Sequence, residues 1–96
     1  MSQVTLTAPQ ATTLRPVVES ALDSERLMIE LGLRRTEMNL RAFEQKFGMT
    51  SDVFYRRFSN AELDESLDFI EWAGEYKTRA LLKDRQNLLR EIHIAD

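Results

Sequence analysis

The chain lacks cysteine, and its 96 residues include only one histidine, three glycines and two prolines. The absence of cysteine excludes disulfide frameworks, zinc knuckles and thiol catalysis. The three glycines form no glycine-rich phosphate loop. No apolar run is longer than three residues, so no segment is predicted to cross a membrane.

Charge is abundant instead, with 13 Lys and Arg against 16 Asp and Glu, which leaves a formal net charge of −3. A mildly acidic chain is a poor general binder of nucleic acid, because phosphate binding depends on clustered Lys and Arg. The first thirteen residues carry no charged side chain and lack the basic start and apolar centre of a secretory signal. We therefore expect a cytoplasmic protein with room for one small domain.

Residues 14–47 are predicted to form one long helix, because apolar positions recur in steps of three and four. Thr12 or Thr13 can cap its start. Pro16 falls in the predicted first turn, where its missing N–H costs nothing. Gly48 follows the last apolar residue, as is typical of a left-handed C-cap.

Two further helices complete the predicted all-α fold. One is short, about 51–58, with Thr50 as its cap. The other, about 64–93, is acidic in its first half and basic in its second, which suits the helix dipole. Residues 1–13 are predicted to form an N-terminal arm that is either flexible or docks on a partner. Residues 14–96 are predicted to form a single helical domain.

The two long helices are expected to form an antiparallel hairpin with coiled-coil-like packing. Helices of about 30 residues are about 45 Å long, and two of them touch along only one seam. Each would leave apolar surface exposed, so we expect a homodimer in which two hairpins close into a four-helix bundle. The residues assigned to this core or dimer seam are Leu14, Val18, Ala21, Met28, Gly32, Phe43, Phe47, Leu67, Ile70, Gly74, Leu81 and Leu88.

Two glycines interrupt the predicted seam. A glycine inside a helix costs about 1 kcal/mol relative to alanine, so Gly32 and Gly74 indicate close backbone approach or space for a large neighbour. If the hairpin pairs Phe47 with Leu63, antiparallel counting brings Gly74 near Thr36.

Residues 61–73 contain five acids and no base, and large apolar residues lie among and beside those acids. These large apolar residues are more numerous than one helix face can bury within its own hairpin. Trp and Tyr are favoured interface anchors, and surrounding acids would steer a basic protein partner. The predicted partner-binding residues are Glu62, Asp64, Asp68, Phe69, Glu71, Trp72, Glu75 and Tyr76. Burial of Trp72 in the dimer core is the alternative.

The sequence predicts no catalytic, cofactor or metal site. A carboxylate-metal nucleotide hydrolase is the enzymatic alternative, because four carboxylates spaced by four, three and four would share one helix face. They are Asp64, Asp68, Glu71 and Glu75. The Glu-x-x-His motif of helical di-metal sites is missing. DNA-binding regulation through the arginine doublets 34–35 and 56–57 is the remaining alternative, although acids flank both doublets.

The middle of the chain carries a recognisable pattern: FEQKFGMTS over residues 43–51, then Phe54, Arg57-Phe58, AEL over 61–63 and LDFIEWA over 67–73. This pattern resembles small all-helical prokaryotic proteins that are encoded beside RNase-like toxins and are the antitoxin halves of toxin–antitoxin pairs. The resemblance implies a non-enzymatic adaptor that neutralises a toxin by binding it.

Overall fold

A computed structural model describes the backbone of residues 4–6 and 11–94 and the side chains of residues 14–92. The predicted all-α hairpin is confirmed. Helix α1 spans Ala11–Phe47, α2 spans Ser51–Ser59 and α3 spans Leu67–Arg90. α1 and α3 pack against each other as a hairpin, and α2 covers both of them near the end where the chain reverses, which we call the closed end.

The local signals at the ends of α1 and α2 are confirmed. Gly48 follows α1 with φ of +68°, and its N–H donates to the Glu44 carbonyl. Thr50 caps α2 by accepting a hydrogen bond from the Val53 N–H. The start of α1 differs, since the helix begins at Ala11 and Pro16 therefore lies beyond the first turn.

The chain leaves α2 through a Schellman motif. The Glu62 N–H donates to the Arg57 carbonyl and the Ala61 N–H to the Phe58 carbonyl, which satisfies two carbonyls at the helix end. The motif requires a left-handed residue, and Ala61 adopts it with φ of +57°. α3 begins only after this turn, at Leu67 with Ser66 as its cap. The predicted start near Asp64 is therefore wrong.

Replacing Ala61 with glycine is expected to raise the free energy of unfolding by about 0.5–1 kcal/mol. A left-handed L-residue costs roughly 1–2 kcal/mol, and the extra freedom of glycine in the unfolded chain offsets only part of this gain. Urea unfolding at fixed protein concentration measures the change. Ala80→Gly, at an exposed position inside α3, is the control and should destabilise by about 1 kcal/mol. A less stable Ala61→Gly variant would contradict this account of the turn.

The open end of the hairpin holds two short strands. β1 (Val4–Leu6) pairs in parallel with β2 (Ile92–Ile94), with Val4 opposite Ile92. The predicted extension of the third helix to about residue 93 is therefore wrong, because the backbone of 92–94 bonds to the β1 strand instead. Of the predicted arm, residues 4–6 form β1 and 11–13 belong to α1, whereas 1–3 and 7–10 lie outside the described residues.

The register of the hairpin differs from the predicted pairing of Phe47 with Leu63. Phe47 contacts Phe69 instead, with ring centroids 5.0 Å apart. Arg79 reaches Glu37 across the same seam at 3.5 Å, which places Arg79, and not Gly74, beside this part of α1. The shift arises because residues 60–66 form a turn and a cap rather than helix, so more chain is used before α3 begins.

The predicted seam divides into an inner and an outer set. Val18, Phe43 and Phe47 are half-buried. Gly32 is also inner, because a Cβ there would lie 3.1 Å from Leu82 Cδ1, which confirms that the glycine leaves space for a large neighbouring side chain. The same prediction for Gly74 is wrong, because nothing lies within 4 Å of a Cβ there. The exposed members are Leu14, Ala21, Met28, Leu67, Ile70, Gly74, Leu81 and Leu88.

The seam residues predicted in the third helix therefore lie outside the core of the hairpin. The line that faces the core carries Phe69, Trp72, Ala73 and Tyr76. These aromatic side chains remove more apolar surface from water than the leucines of the other line.

Candidate partner-binding surface

An aromatic cluster builds the closed end of the hairpin. Trp72 and Phe54 are fully buried, and their rings stack in parallel with centroids 3.8 Å apart. Phe43 and Phe47 from α1 stack on Trp72 from 5.6 and 5.7 Å. The cluster therefore joins all three helices. At their separations from Trp72, Phe43 and Phe47 each add about 0.5–1.5 kcal/mol beyond the area buried.

A hydrogen-bonded chain fixes the indole ring within this cluster. Trp72 Nε1–H donates to Ser51 Oγ at 2.9 Å. The Ser51 backbone N–H, at the start of α2, donates to the Glu44 carboxylate at 2.7 Å. A buried indole N–H without an acceptor would cost about 1–3 kcal/mol. These two hydrogen bonds thus connect α3 to α2 and α2 to α1.

A second set of polar contacts joins α2 to α3. Tyr76 stacks on Tyr55 with centroids 4.5 Å apart, and its hydroxyl donates to Asp52 at 2.6 Å. The hydrogen bond to the Asp52 carboxylate raises the pKa of Tyr76 above its ordinary value, so the phenol remains protonated and donating at neutral pH. Arg79 approaches the same Asp52 carboxylate at 3.7 Å.

Three of the predicted partner-binding residues lie in or against this cluster. Trp72 has no exposed surface, and Phe69 is half-buried against the same core. Tyr76 is held by Tyr55 and Asp52. Treating Trp72 as a surface anchor was wrong, because its ring is enclosed by aromatic residues of its own chain. The alternative, in which Trp72 is buried in a core, agrees better with the structure, although the core is formed by a single chain and not by a dimer.

The large apolar residues that are exposed in this region differ from the predicted ones. Leu67 is 72% exposed and Ile70 51% exposed, at the start of α3. The exposed carboxylates of Asp64, Glu65 and Glu71 flank them along the chain. We call these five residues the acidic patch. Carboxylates at the start of a helix are also favoured by the helix dipole.

The other acids of this segment have cationic neighbours. Asp68 pairs with Lys46 at 2.7 Å, and Glu62 lies 3.7 Å from Arg57. Within residues 14–92, no ion pair shorter than 4.0 Å involves the three acids of the acidic patch. Their charge is therefore available to a partner. Glu75 lines a groove beside Glu71 and Gly74, half-buried one turn further along α3.

The structure also locates the residues of the alternative functions. Asp64 precedes α3, so the four carboxylates predicted to line one helix face are not all helical. No three His, Asp or Glu side chains in the described part of the chain are placed to hold a metal ion. Arg34 is paired with Glu30 at 2.6 Å.

Two residues organise the site although the sequence pattern does not predict their roles. Ser51 is buried and orients Trp72, and Asp52 accepts from Tyr76. Both occupy the first turn of α2, where short polar residues are expected for capping alone. No pattern in the sequence announces that the partners are 21 and 24 residues away.

No helix in the described part of the chain is long and apolar enough to cross a membrane. No family model, curated protein or solved structure matches this chain.

Proposed function

We propose that this chain is a non-enzymatic protein–protein interaction module that binds a basic protein through the acidic patch. The observation that carries the proposal is the exposure of Leu67 and Ile70 among carboxylates that lack cationic neighbours within residues 14–92. Isolated exposed leucines are ordinary. Two exposed large apolar residues within an unpaired acidic segment form a centre that a partner can desolvate and a rim that attracts it.

The charge distribution supports a basic partner. Residues 61–73 carry a charge of −5, whereas the whole chain carries −3. The remaining residues are therefore slightly positive. Such concentrated charge accelerates association with a cationic surface and repels acidic ones. The aromatic cluster beneath the acidic patch keeps the start of α3 in place, which lowers the ordering cost of binding.

The resemblance to antitoxins gives the partner a chemical class. We propose a compact RNase-like toxin, whose RNA-binding surface would be basic because it must contact phosphate. An acidic patch competes for such a surface by the same electrostatics, which would neutralise the toxin without chemistry.

The test is co-expression of the chain with the product of the adjacent gene, followed by affinity capture and calorimetric titration. The triple variant Asp64→Lys/Glu65→Lys/Glu71→Lys should weaken binding by more than about 100-fold, because three attractive contacts become repulsive. Asp68 is left unchanged, since it pairs with Lys46.

The matched control is Glu25→Lys/Asp84→Lys/Glu91→Lys, which changes the net charge equally at acids outside the acidic patch. It should retain near-normal affinity. Circular dichroism verifies that both variants stay helical. Equal loss in both variants, or unchanged binding in the patch variant, would refute the acidic patch as the binding surface.

A further inference from the structure

The chain exposes more surface than its mass warrants. Its accessible surface is 7003 Å², whereas a folded monomer of 11.2 kDa exposes about 5,700 Å². Its radius of gyration is 18.4 Å, against about 12.5 Å for a compact domain of this length. The excess of roughly 1,300 Å² exceeds the approximately 800 Å² that each partner buries in a standard interface.

Much of the exposed apolar surface lies on one line of α1. Positions 14, 17, 21, 24, 28, 31, 35, 38 and 42 alternate steps of three and four, and all nine are exposed. We call them the α1 stripe. Five of them are large and apolar: Leu14, Val17, Met28, Leu31 and Met38, which are 45–69% exposed. Steps of 3.5 residues on average are the repeat of coiled-coil packing.

The α1 stripe is separate from the line that α1 turns toward α3. That inner line contains Ile29, Thr36 and Leu40, each at most 4% exposed. One helix thus carries two lines, of which the hairpin covers one. The core of the hairpin therefore does not account for the apolar residues of the α1 stripe.

The α1 stripe shares a face with exposed leucines of α3. A groove of about 520 Å³ between the helices is lined by Ala42, at the end of the stripe, and by Glu71 and Gly74 of α3, among others. Leu81 and Leu88 follow Gly74 in steps of seven, which keeps them on nearly the same side of α3. α2 packs on α3 through Phe69 instead.

We propose that a second copy of this chain covers this face, with the two α1 stripes packed antiparallel. Residues whose numbers add to 52 then lie opposite each other: Leu14 faces Met38 of the second copy, and Ala21 faces Leu31. Ser24 faces Met28 at the two-fold axis. If Leu14 is heptad position a and Val17 is position d, each position a of one stripe meets a position d of the other. The two hairpins then form a four-helix assembly.

Charge selects the antiparallel arrangement over a parallel one. A parallel two-fold would place Arg35 against Arg35 of the second copy, burying like charges together. In the antiparallel register Arg35 faces Val17. The parallel form would also bring two segments of charge −5 side by side at one end, whereas reversal places them at opposite ends. Glu71 of each acidic patch lines the groove on this face, whereas Asp64 and Glu65 precede α3 at the closed end.

Light scattering at micromolar concentration tests the interface. The wild-type mass should be about twice 11.2 kDa, and Met28→Glu/Leu31→Glu should yield a helical monomer. The control Arg56→Glu/Ser59→Glu, at exposed positions of α2, should remain dimeric. A monomeric wild type, or a stripe variant that stays dimeric, would overturn the proposal.

Cysteine cross-linking tests the orientation, since the chain has no cysteine of its own. A mixture of the Leu14→Cys and Met38→Cys chains should cross-link through a short bis-maleimide. The Leu14→Cys chain alone should not, because its two thiols would lie at opposite ends of the overlap. Efficient cross-linking of that chain with itself would overturn the antiparallel arrangement.

Discussion

Replacing Trp72 with alanine is expected to lower the free energy of unfolding by about 3–5 kcal/mol. The indole is fully buried and stacks on three phenylalanines from two helices. Its removal leaves a cavity where all three helices meet. A chain of this size has about 5–15 kcal/mol of total stability, so the variant should lose much of its cooperative transition. Urea unfolding monitored by circular dichroism at fixed concentration measures the loss.

Two variants separate the contributions to this effect. Trp72→Phe keeps an aromatic ring but removes the donor to Ser51, and it should cost less than the alanine variant. Leu67→Ala truncates a residue that is 72% exposed, and its effect should stay within about 0.5 kcal/mol. A loss below 1 kcal/mol in Trp72→Ala would contradict the packing described for the closed end.

Phe54→Ala is expected to destabilise the chain by a similar amount, about 3–5 kcal/mol. Phe54 is the buried side chain by which α2 stacks on Trp72 at 3.8 Å. A helix of nine residues does not persist in water without tertiary packing. Residues 51–59 should therefore lose protection first, and amide hydrogen exchange resolved by residue measures this.

The control for Phe54→Ala is Arg56→Ala, an exposed change in the same helix, which should stay within about 0.5 kcal/mol. The double variant Phe54→Ala/Trp72→Ala should be more stable than the sum of the single effects predicts, since one stacked pair is counted in both. Strict additivity, or loss of protection that begins in α3 rather than in α2, would contradict the role assigned to Phe54.

The closed end and the α1 stripe divide the chain into two working parts. The aromatic cluster supports the acidic patch at the closed end, whereas the α1 stripe runs from Leu14 to Ala42, beside the groove that Glu71 also lines. If both proposals hold, one dimer presents two acidic patches at its far ends and can bind two basic partners. Met28→Glu/Leu31→Glu changes residues that do not line this groove, so it should leave binding at the acidic patch intact.

Local chemistry explains why the helices themselves were predictable. Gly48 adopts the left-handed conformation expected after α1, and Thr50 caps α2. These signals act between residues fewer than five positions apart, so they are legible without the fold. The start of α3 was misplaced because acids near a helix start resemble its first turn, whereas Ser66 supplies the cap.

The candidate site was less predictable because its contacts are distant in sequence. The acidic segment and its exposed charge followed from composition. The burial of Trp72, and with it the choice of Leu67 and Ile70 as exposed apolar residues, followed from tertiary packing. Both lines of α3 are apolar enough to face a core, and their periodicity is the same. Stacking on Phe54 and Phe43 decides between them.

The three helices and the local concentration of negative charge in a cysteine-free chain thus follow from the amino-acid sequence alone. The register of the hairpin, the burial of Trp72 and the line of each long helix that faces solvent depend instead on how the three helices pack. The physical reason is that capping and charge depend on near neighbours. Register depends on where the turn at residues 60–66 ends and on which large side chains fit together across the seam.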